Sequence, residues 1–134
     1  MNLNELAKQV HENAKDHGWW KDKKSFGDII ALCHTELSEA FEEYRNGHEP
    51  KKVYYYCKYH DTRLKCPDKF DGCQCGENYG CNERKPEGIP IELADCIIRI
   101  LDYCEHEGID IEQAIKIKHE YNKNRSYRHG NKAL

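Results

Sequence analysis

Apolar residues recur at helical spacing in four segments of this chain, and that periodicity constrains the fold more than any other feature of the sequence. The four segments are residues 3–16, 25–46, 88–107 and 110–124. An amphipathic helix has apolar residues three and four positions apart, so that they share one face. The periodicity therefore predicts an all-α fold with four helices.

Capping signals mark where these helices begin and end. A short polar side chain followed three residues later by an acidic or amide residue resembles a capping box, which satisfies backbone N–H groups of the first turn. Three such pairs open the first, second and fourth helices: Asn2 with Glu5, Ser25 with Asp28, and Asp110 with Gln113. Glycine readily ends a helix, and Gly18, Gly47 and Gly108 follow the first three. Pro90 fits the first turn of the third helix, so the starts of all four helices and the ends of the first three are predicted.

The third helix is apolar around nearly its whole circumference, with apolar residues that extend from Ile91 to Cys104. Such a helix is buried on more than one side, either at the centre of a bundle or across a dimer interface. The chain is short, 134 residues of which 38% are hydrophobic, and a small polar fold often completes its core by pairing. We expect a single domain over residues 1–134 that forms a homodimer or homotetramer.

Composition and charge argue against several classes of partner. The net charge of -3 gives no general reason to expect nucleic acid or an anionic membrane as partner. No apolar stretch approaches the roughly 20 residues needed to cross a bilayer. The segment from Met1 to Glu5 lacks the basic stretch and apolar run of a signal peptide. We therefore expect a cytoplasmic protein, whose cysteines are more often metal ligands or core residues than disulfides.

Two pairs of carboxylates border the apolar faces of the second and third helices. Glu36 and Glu39 are spaced three residues apart in the second helix, and Glu92 and Asp95 have the same spacing in the third. Carboxylates directed toward a core repel one another and are costly to desolvate. A divalent cation resolves this conflict, and hard oxygen ligands suit Mg²⁺ or Mn²⁺. The pattern predicts a metal site on two helices.

The alternative is that these carboxylates lie on solvated helix faces, because this spacing is common by chance. Periodicity alone does not separate the two interpretations. Arg99 lies on the carboxylate side of the third helix, and its expected partner is Asp95 or Asp102.

A cysteine-rich insertion lies between the second and third helices, at about residues 50–87. It contains five of the eight cysteines and no sustained periodicity, and a loop of this length is uncommon unless it is functional or held in place. The candidate zinc ligands are Cys57, Cys66, Cys73, Cys75 and Cys81, with His60 close by. Four such ligands complete a tetrahedral site whose binding energy would order the loop. The alternative is a disordered loop with free thiols. Cys33, Cys96 and Cys104 lie on apolar helix faces and are predicted core residues.

Two further groups of residues are candidates for substrate contacts. Lys118, Asn122 and Arg125 share one helical face, which offers two cations and an amide to phosphate oxygens. The alternative is an ordinary basic helix end that the helix dipole favours. Trp19 and Trp20 lie in a short glycine-led link, where a large aromatic ring can stack on a base or close the end of the core.

Four stretches of the sequence together match the pattern of a known family. The two around the acidic motifs are Glu36-Leu-Ser-Glu39-Ala-Phe-Glu-Glu-Tyr-Arg-Asn-Gly47 and Gly88-Ile-Pro-Ile-Glu92-Leu-Ala-Asp95-Cys-Ile-Ile-Arg-Ile-Leu-Asp102. The two flanking stretches are His17-Gly-Trp-Trp20 and Lys118-x-x-x-Asn122-x-x-Arg125-Ser-Tyr-Arg-His129-Gly130-x-Lys132. They resemble the MazG-like nucleotide pyrophosphohydrolases. The resemblance covers about residues 1–48 and 88–132, which is essentially everything except the insertion.

The resemblance implies a fold, a cofactor and a reaction. The family belongs to an all-α superfamily that also includes dimeric dUTPases, dCTP pyrophosphatases and phosphoribosyl-ATP pyrophosphatase. It implies a four-helix MazG-like bundle that dimerises, with catalytic Mg²⁺ (or Mn²⁺) held by Glu36, Glu39, Glu92 and Asp95. The implied reaction cleaves a (d)NTP substrate to (d)NMP and pyrophosphate, which cleanses nucleotide pools. The basic face of the fourth helix would then bind the substrate.

Two departures from the family pattern affect these expectations. A second glutamate often precedes the first acidic motif, and here that residue is Thr35, which could alter the number of metal ions. The insertion also makes the gap between the motifs far longer than usual, which could cover the site or change its specificity.

A competing interpretation comes from a different functional class. In it the cysteine-rich loop makes the chain a metal-binding interaction module with no catalytic activity. A third interpretation is a structural metal protein that binds zinc without magnesium-dependent turnover.

Overall fold

The structure, a computed structural model, describes residues 2–57 and 84–126. Its elements in chain order are α1 (Leu3–Asp16), α2 (Phe26–Arg45), β1 (Tyr54–Cys57), β2 (Arg84–Glu87), α3 (Ile89–His106) and α4 (Ile111–Lys123). The described part of the chain is therefore predominantly helical, as the periodicity predicts. The short strand pair was not predicted. None of the described helices combines the length and the apolar character that a membrane span requires.

The chain divides into two units. One unit comprises Met1–Lys24 with Ile100–Leu134, and the other is the continuous segment Ser25–Arg99. The helix α3 contributes its first part to the second unit and its last part to the first. The sequence analysis did not predict this division.

The predicted caps form at the starts of three helices. Asn2 accepts hydrogen bonds from the backbone of the first turn of α1, and Asp110 does the same for α4. Ser25 and Asp28 form a reciprocal capping box at the start of α2. These local bonds explain why the helix boundaries agree with those expected from the sequence.

Strands β1 and β2 form an antiparallel pair in the Ser25–Arg99 unit, with Tyr54 opposite Glu87. Gly88 joins β2 to α3 with a φ of +117°, a conformation that side chains rarely adopt. A Cβ at this position would lie 2.5 Å from the backbone oxygen of Lys52. Only glycine allows this approach, which fixes the strand pair against the first turn of α3.

The unit formed by the two ends of the chain packs α1 against α4 and the last part of α3. Asn4 joins the two outer helices, because its side chain donates to Asp110 Oδ1 at 2.8 Å and accepts from the backbone of Glu112 at 3.3 Å. Ala7 and Leu101 are the most deeply buried apolar residues of this unit.

Several large apolar side chains of α2 and α3 are exposed in the single chain. On α2 the exposed ones are Phe26, Ile30, Leu37, Phe41 and Tyr44, and on α3 they include Leu93 and Ile97. The five on α2 fall within about 60° on a helical wheel, so they form one stripe along the whole helix. We call this set the α2 stripe. The expected burial of α3 on more than one side is thus not reached within one chain.

Candidate metal centre

Three predicted carboxylates meet in the Ser25–Arg99 unit. Glu36, Glu39 and Glu92 each offer an oxygen atom, and these atoms all lie within 4.8 Å of one another. Glu36 and Glu92 are buried, with exposed fractions of 5% and 2%, whereas Glu39 is exposed. The group therefore has two buried donors and one that faces solvent, and we call it the carboxylate group.

Helical phase explains why these glutamates point inward. On α2, Cys33, Glu36 and Ala40 are buried together, at spacings of three and four residues. On α3, Glu92 shares its buried face with Cys96, four residues later. Glu36 and Glu92 therefore lie on the same faces that carry the core of this unit, whereas the sequence placed the carboxylates at the borders of the apolar faces.

Arg99 neutralises part of the charge of this group. Its Nε donates to Glu36 Oε1 at 2.6 Å, and its guanidinium forms an ion pair with the same carboxylate. Asp95 or Asp102 was the partner expected from the sequence; the bond to Glu36 was not expected, and the charge of Arg99 also acts on Asp95, whose pKa it lowers. The helical wheel of α3 identified the side of the helix but could not identify a partner on α2.

Glu92 holds its proton unusually strongly. Its pKa is raised from 4.5 to about 7, first by burial, then by a hydrogen bond with Glu87 and by the charges of Glu39 and Glu87. A hydrogen bond between two carboxyl groups requires a proton on one of them. A proton on Glu92 therefore relieves part of the repulsion between these carboxylates.

Asp95 lies beside the carboxylate group but is not one of its three members. It is half-buried, and its pKa is raised, first by burial and then by the charge of Glu36. The structure therefore brings together three of the four predicted metal ligands and places the fourth within their electrostatic field.

The strand pair contributes two residues that the sequence analysis missed. Lys85 and Glu87 lie two positions apart on β2, and Lys85 Nζ is 2.9 Å from Glu87 Oε1. Glu87 in turn bonds Glu92. Strand alternation places residues two apart on one face of a strand, which could have indicated that the pair acts together. Its contact with α3 depends on packing that no local pattern reveals.

Glu43, the next carboxylate on the same side of α2, has a different role. It accepts a hydrogen bond from the Tyr54 hydroxyl at 3.0 Å and also bonds His48 Nδ1. Burial and this carboxylate raise the pKa of Tyr54 well above its usual range. Glu43 therefore ties the end of α2 to β1 instead of joining the carboxylate group.

The predicted core cysteines are buried, as expected. Cys33 and Cys96 are hydrogen-bonded to each other between α2 and α3, and burial followed by the neighbouring Cys96 raises the pKa of Cys33. Cys104 is buried near the end of α3, and burial raises its pKa. A raised thiol pKa lowers the thiolate fraction, so these residues act as small apolar groups.

Trp20 is engaged inside the unit formed by the chain ends. Its indole Nε1 donates to Asp102 Oδ1 at 2.9 Å, and its ring stacks on His106 with centroids 3.8 Å apart. His11 Nδ1 is 2.7 Å from the same Asp102 oxygen. The indole N–H and one ring face are thus occupied, which favours a core role for Trp20 over base contact. Trp19 is half-buried, with Lys24 Nζ 4.7 Å from its ring centroid.

The residues predicted to bind phosphate are exposed at the end of α4. Lys118 Nζ lies 4.9 Å from the Tyr121 ring centroid, and Arg125 Cζ lies 5.8 Å from it. Asn122 is exposed beside them. Lys118 and Asn122 lie on α4, Arg125 follows two residues after the helix ends at Lys123, and the role of all three toward substrate stays a prediction.

Most of the predicted zinc ligands belong to a part of the chain that the structure does not describe. Cys66, Cys73, Cys75 and Cys81 lie outside the described residues, and of Cys57 only the backbone, in β1, is described. The zinc site in the insertion therefore stays a prediction.

The carboxylate group fits a magnesium ion by its chemistry. All its donors are carboxylate oxygens, the kind that Mg²⁺ and Mn²⁺ prefer, and two of the three glutamates are buried. Burial raises the pKa of Glu92 first, and the nearby carboxylates Glu87 and Glu39 raise it further. Glu36, Glu39 and Glu92 could hold such an ion, with Asp95 adjacent.

No protein-family model matches this chain, and neither a curated protein nor a solved structure matches it.

Proposed function

We propose that this protein is a magnesium-dependent nucleoside triphosphate pyrophosphohydrolase of the MazG-like type, which cleaves (d)NTPs to (d)NMPs and pyrophosphate and so cleanses nucleotide pools. The observation that carries the proposal is the carboxylate group, formed by glutamates from two separate sequence motifs. Its support from sequence is the resemblance of both motifs and their surroundings to that family.

The carboxylates have separable roles in this proposal. Glu36, Glu39, Glu92 and Asp95 hold Mg²⁺ (or Mn²⁺), which would neutralise charge on the phosphate oxygens and polarise the attacking water. Arg99 keeps the carboxylate of Glu36 oriented through its hydrogen bond. Glu39 is the most exposed member of the group and is our choice for the group that accepts the proton from water.

Substrate contacts outside the carboxylate group are proposed from the sequence. Lys118, Asn122 and Arg125 present two cations and an amide suited to phosphate oxygens. Trp19 and Trp20 are the proposed contacts to the base, although Trp20 already bonds Asp102 and stacks on His106.

The oligomer proposed for this protein is a homodimer, or a tetramer made of two such dimers. The α2 stripe supports it, because exposed contiguous apolar surface on a soluble chain marks an interaction site. A four-helix MazG-like bundle completed by a second chain would cover this stripe.

The test is a turnover assay on the purified protein with a panel of NTPs and dNTPs, Mg²⁺ present, and pyrophosphate as the readout. Wild type should release pyrophosphate from at least one nucleotide, and Glu92→Gln and Glu39→Gln should each lower kcat by at least 100-fold. Glu42→Gln is the matched control, because Glu42 is exposed on α2 and pairs only at the surface with Arg45. No release from any nucleotide would contradict the proposal and leave the interaction module and the structural metal protein as the surviving interpretations.

A further inference from the structure

We propose that Lys85, on the strand that closes the cysteine-rich insertion, binds phosphate oxygens of the nucleotide at the carboxylate group, and that Glu87 positions it there. The inference rests on the proposed function and adds a substrate-binding residue to it. It also gives the insertion a direct role, because β2 is the strand by which the chain returns from the insertion to α3.

Lys85 is linked to the carboxylate group through Glu87. Its Nζ is 2.9 Å from Glu87 Oε1, and Glu87 is bonded to the buried Glu92. The pKa of Lys85 is raised, chiefly by the hydrogen bond to Glu87, with further contributions from Glu92 and Glu39. The ammonium therefore lies in the field of the carboxylate group and not merely at the surface beside it.

Lys85 and Glu87 differ in how much of each side chain is exposed to solvent. The Lys85 side chain is 63% exposed, whereas that of Glu87 is only 20% exposed. Glu87 is thus the fixed partner, held between β2 and α3, while the lysine keeps a solvent-facing ammonium. An ammonium has three donors, so a bond to Glu87 leaves donors for a ligand that arrives from solvent.

Two cationic side chains, Arg99 and Lys85, lie near these carboxylates. Arg99 Nε is 2.6 Å from Glu36 Oε1 on one side, and Lys85 Nζ is 2.9 Å from Glu87 Oε1 on β2. A divalent ion held by Glu36, Glu39 and Glu92 would supply positive charge to these carboxylates. The Lys85 ammonium would then bind phosphate oxygens of a triphosphate that enters the site.

The backbone keeps Lys85 within reach of the site. β2 is paired along its length with β1, and Gly88 packs against the Lys52 carbonyl immediately before α3. Lys85 therefore lies on a paired strand, three residues before Gly88, whose close approach to Lys52 fixes the end of that strand. Such a strand positions a side chain better than a free loop does.

The test uses isothermal titration calorimetry, first with Mg²⁺ alone and then with inorganic pyrophosphate at saturating Mg²⁺. Pyrophosphate is the proposed product and carries no base, so it reports phosphate contacts alone. Lys85→Met should weaken pyrophosphate binding by about 10-fold or more, and Lys85→Arg should restore most of it. The same Lys85→Met variant should bind Mg²⁺ alone more tightly, because a cation next to the carboxylates is gone.

Two further variants sharpen the result. Lys51→Met is the matched control, because Lys51 is an exposed lysine just before β1 and its removal changes the net charge equally. Glu87→Gln should weaken pyrophosphate binding less than Lys85→Met does. In turnover assays, Lys85→Met should raise KM with kcat within about threefold of wild type.

The outcomes distinguish the two proposals. If wild type hydrolyses nucleotides while Lys85→Met binds pyrophosphate as tightly as Lys51→Met, the role of Lys85 is contradicted and the proposed function stands. A Lys85→Met protein that binds Mg²⁺ more weakly than wild type would likewise overturn it, because the lysine would then only support the structure. If wild type binds magnesium pyrophosphate but hydrolyses no nucleotide, the proposed function fails separately.

Discussion

The burial of Glu92 makes the stability of the fold depend on pH, because burial raises the pKa of its carboxyl group. Its pKa in the folded protein is about 7, against 4.5 when it is unperturbed. The folded state therefore binds more protons than the unfolded state between these values, so stability falls as pH rises through this window. The full shift corresponds to about 3 kcal/mol at most.

We predict that the metal-free protein loses stability between about pH 4.5 and pH 7, as measured by urea unfolding at several pH values. Glu92→Gln should remove most of this slope, because glutamine keeps the shape and does not ionise. Mg²⁺ should restore stability above pH 7, where the carboxylates are charged. A wild-type slope equal to that of Glu92→Gln would contradict the assignment.

Arg99 provides a second test at the scale of one residue. Arg99→Met should lower the free energy of unfolding by about 2–3 kcal/mol, because it leaves the Glu36 carboxylate buried without its cation. Arg45→Met should cost about 0.5 kcal/mol or less, since its pair with Glu42 is exposed. Similar losses for the two variants, measured by chemical denaturation, would mean that burial of Glu36 is not compensated by Arg99.

The individual site residues differed in how well the sequence could predict them. Glu36 and Glu92 were predicted, because helical phase relative to the core depends only on nearby residues. Lys85, Glu87 and Arg99 were not assigned their partners, because each partner lies on another element. Side-chain pairing between elements depends on register and packing, which periodicity does not encode.

At the scale of elements, the helices follow from local chemistry and the strand pair does not. The capping box of Ser25 and Asp28 and the glycines after the helices mark boundaries within a few residues of the sequence. Strands β1 and β2 have four residues each, too short to show alternation, and their pairing spans the whole insertion. The chain segments at the two ends of the insertion are therefore paired with each other, which the sequence does not predict.

Gly88 connects these elements, and its replacement tests the connection. Gly88→Ala should lower the free energy of unfolding by about 3 kcal/mol, because a Cβ would lie 2.5 Å from the Lys52 carbonyl in addition to the strain at φ +117°. Gly47→Ala is the control, since Gly47 also has a positive φ but nothing within 4 Å, and it should cost about 1 kcal/mol. Equal losses in thermal or chemical unfolding would show that the close approach to Lys52 is unimportant.

At the scale of the whole molecule, the sequence correctly predicted a helical protein but not its division into two units. Contacts between distant segments determine that division, and no segment carries them by itself. The exposed α2 stripe, in contrast, has a simple cause. The helices of this short chain have more apolar faces than other helices of the same chain can cover.

The α2 stripe leads to a prediction about the oligomer. Wild type should run as a dimer or tetramer in light scattering coupled to size exclusion, and Phe41→Glu should shift it toward monomer, because it places a charge in the stripe. Ala31→Glu is the control, since Ala31 is exposed on α2 but lies off the stripe. A monomeric wild type, or a Phe41→Glu protein of unchanged mass, would contradict the proposed interface.

The central claim is that the carboxylate group supports magnesium-dependent cleavage of a nucleoside triphosphate to monophosphate and pyrophosphate. The most direct measurement is ³¹P NMR of the products that wild type forms from the best nucleotide of the panel, with Mg²⁺ and then with excess EDTA. We predict equal amounts of monophosphate and pyrophosphate with Mg²⁺, and neither product with EDTA or with Glu92→Gln. Diphosphate with orthophosphate, or no turnover of any nucleotide, would contradict the claim.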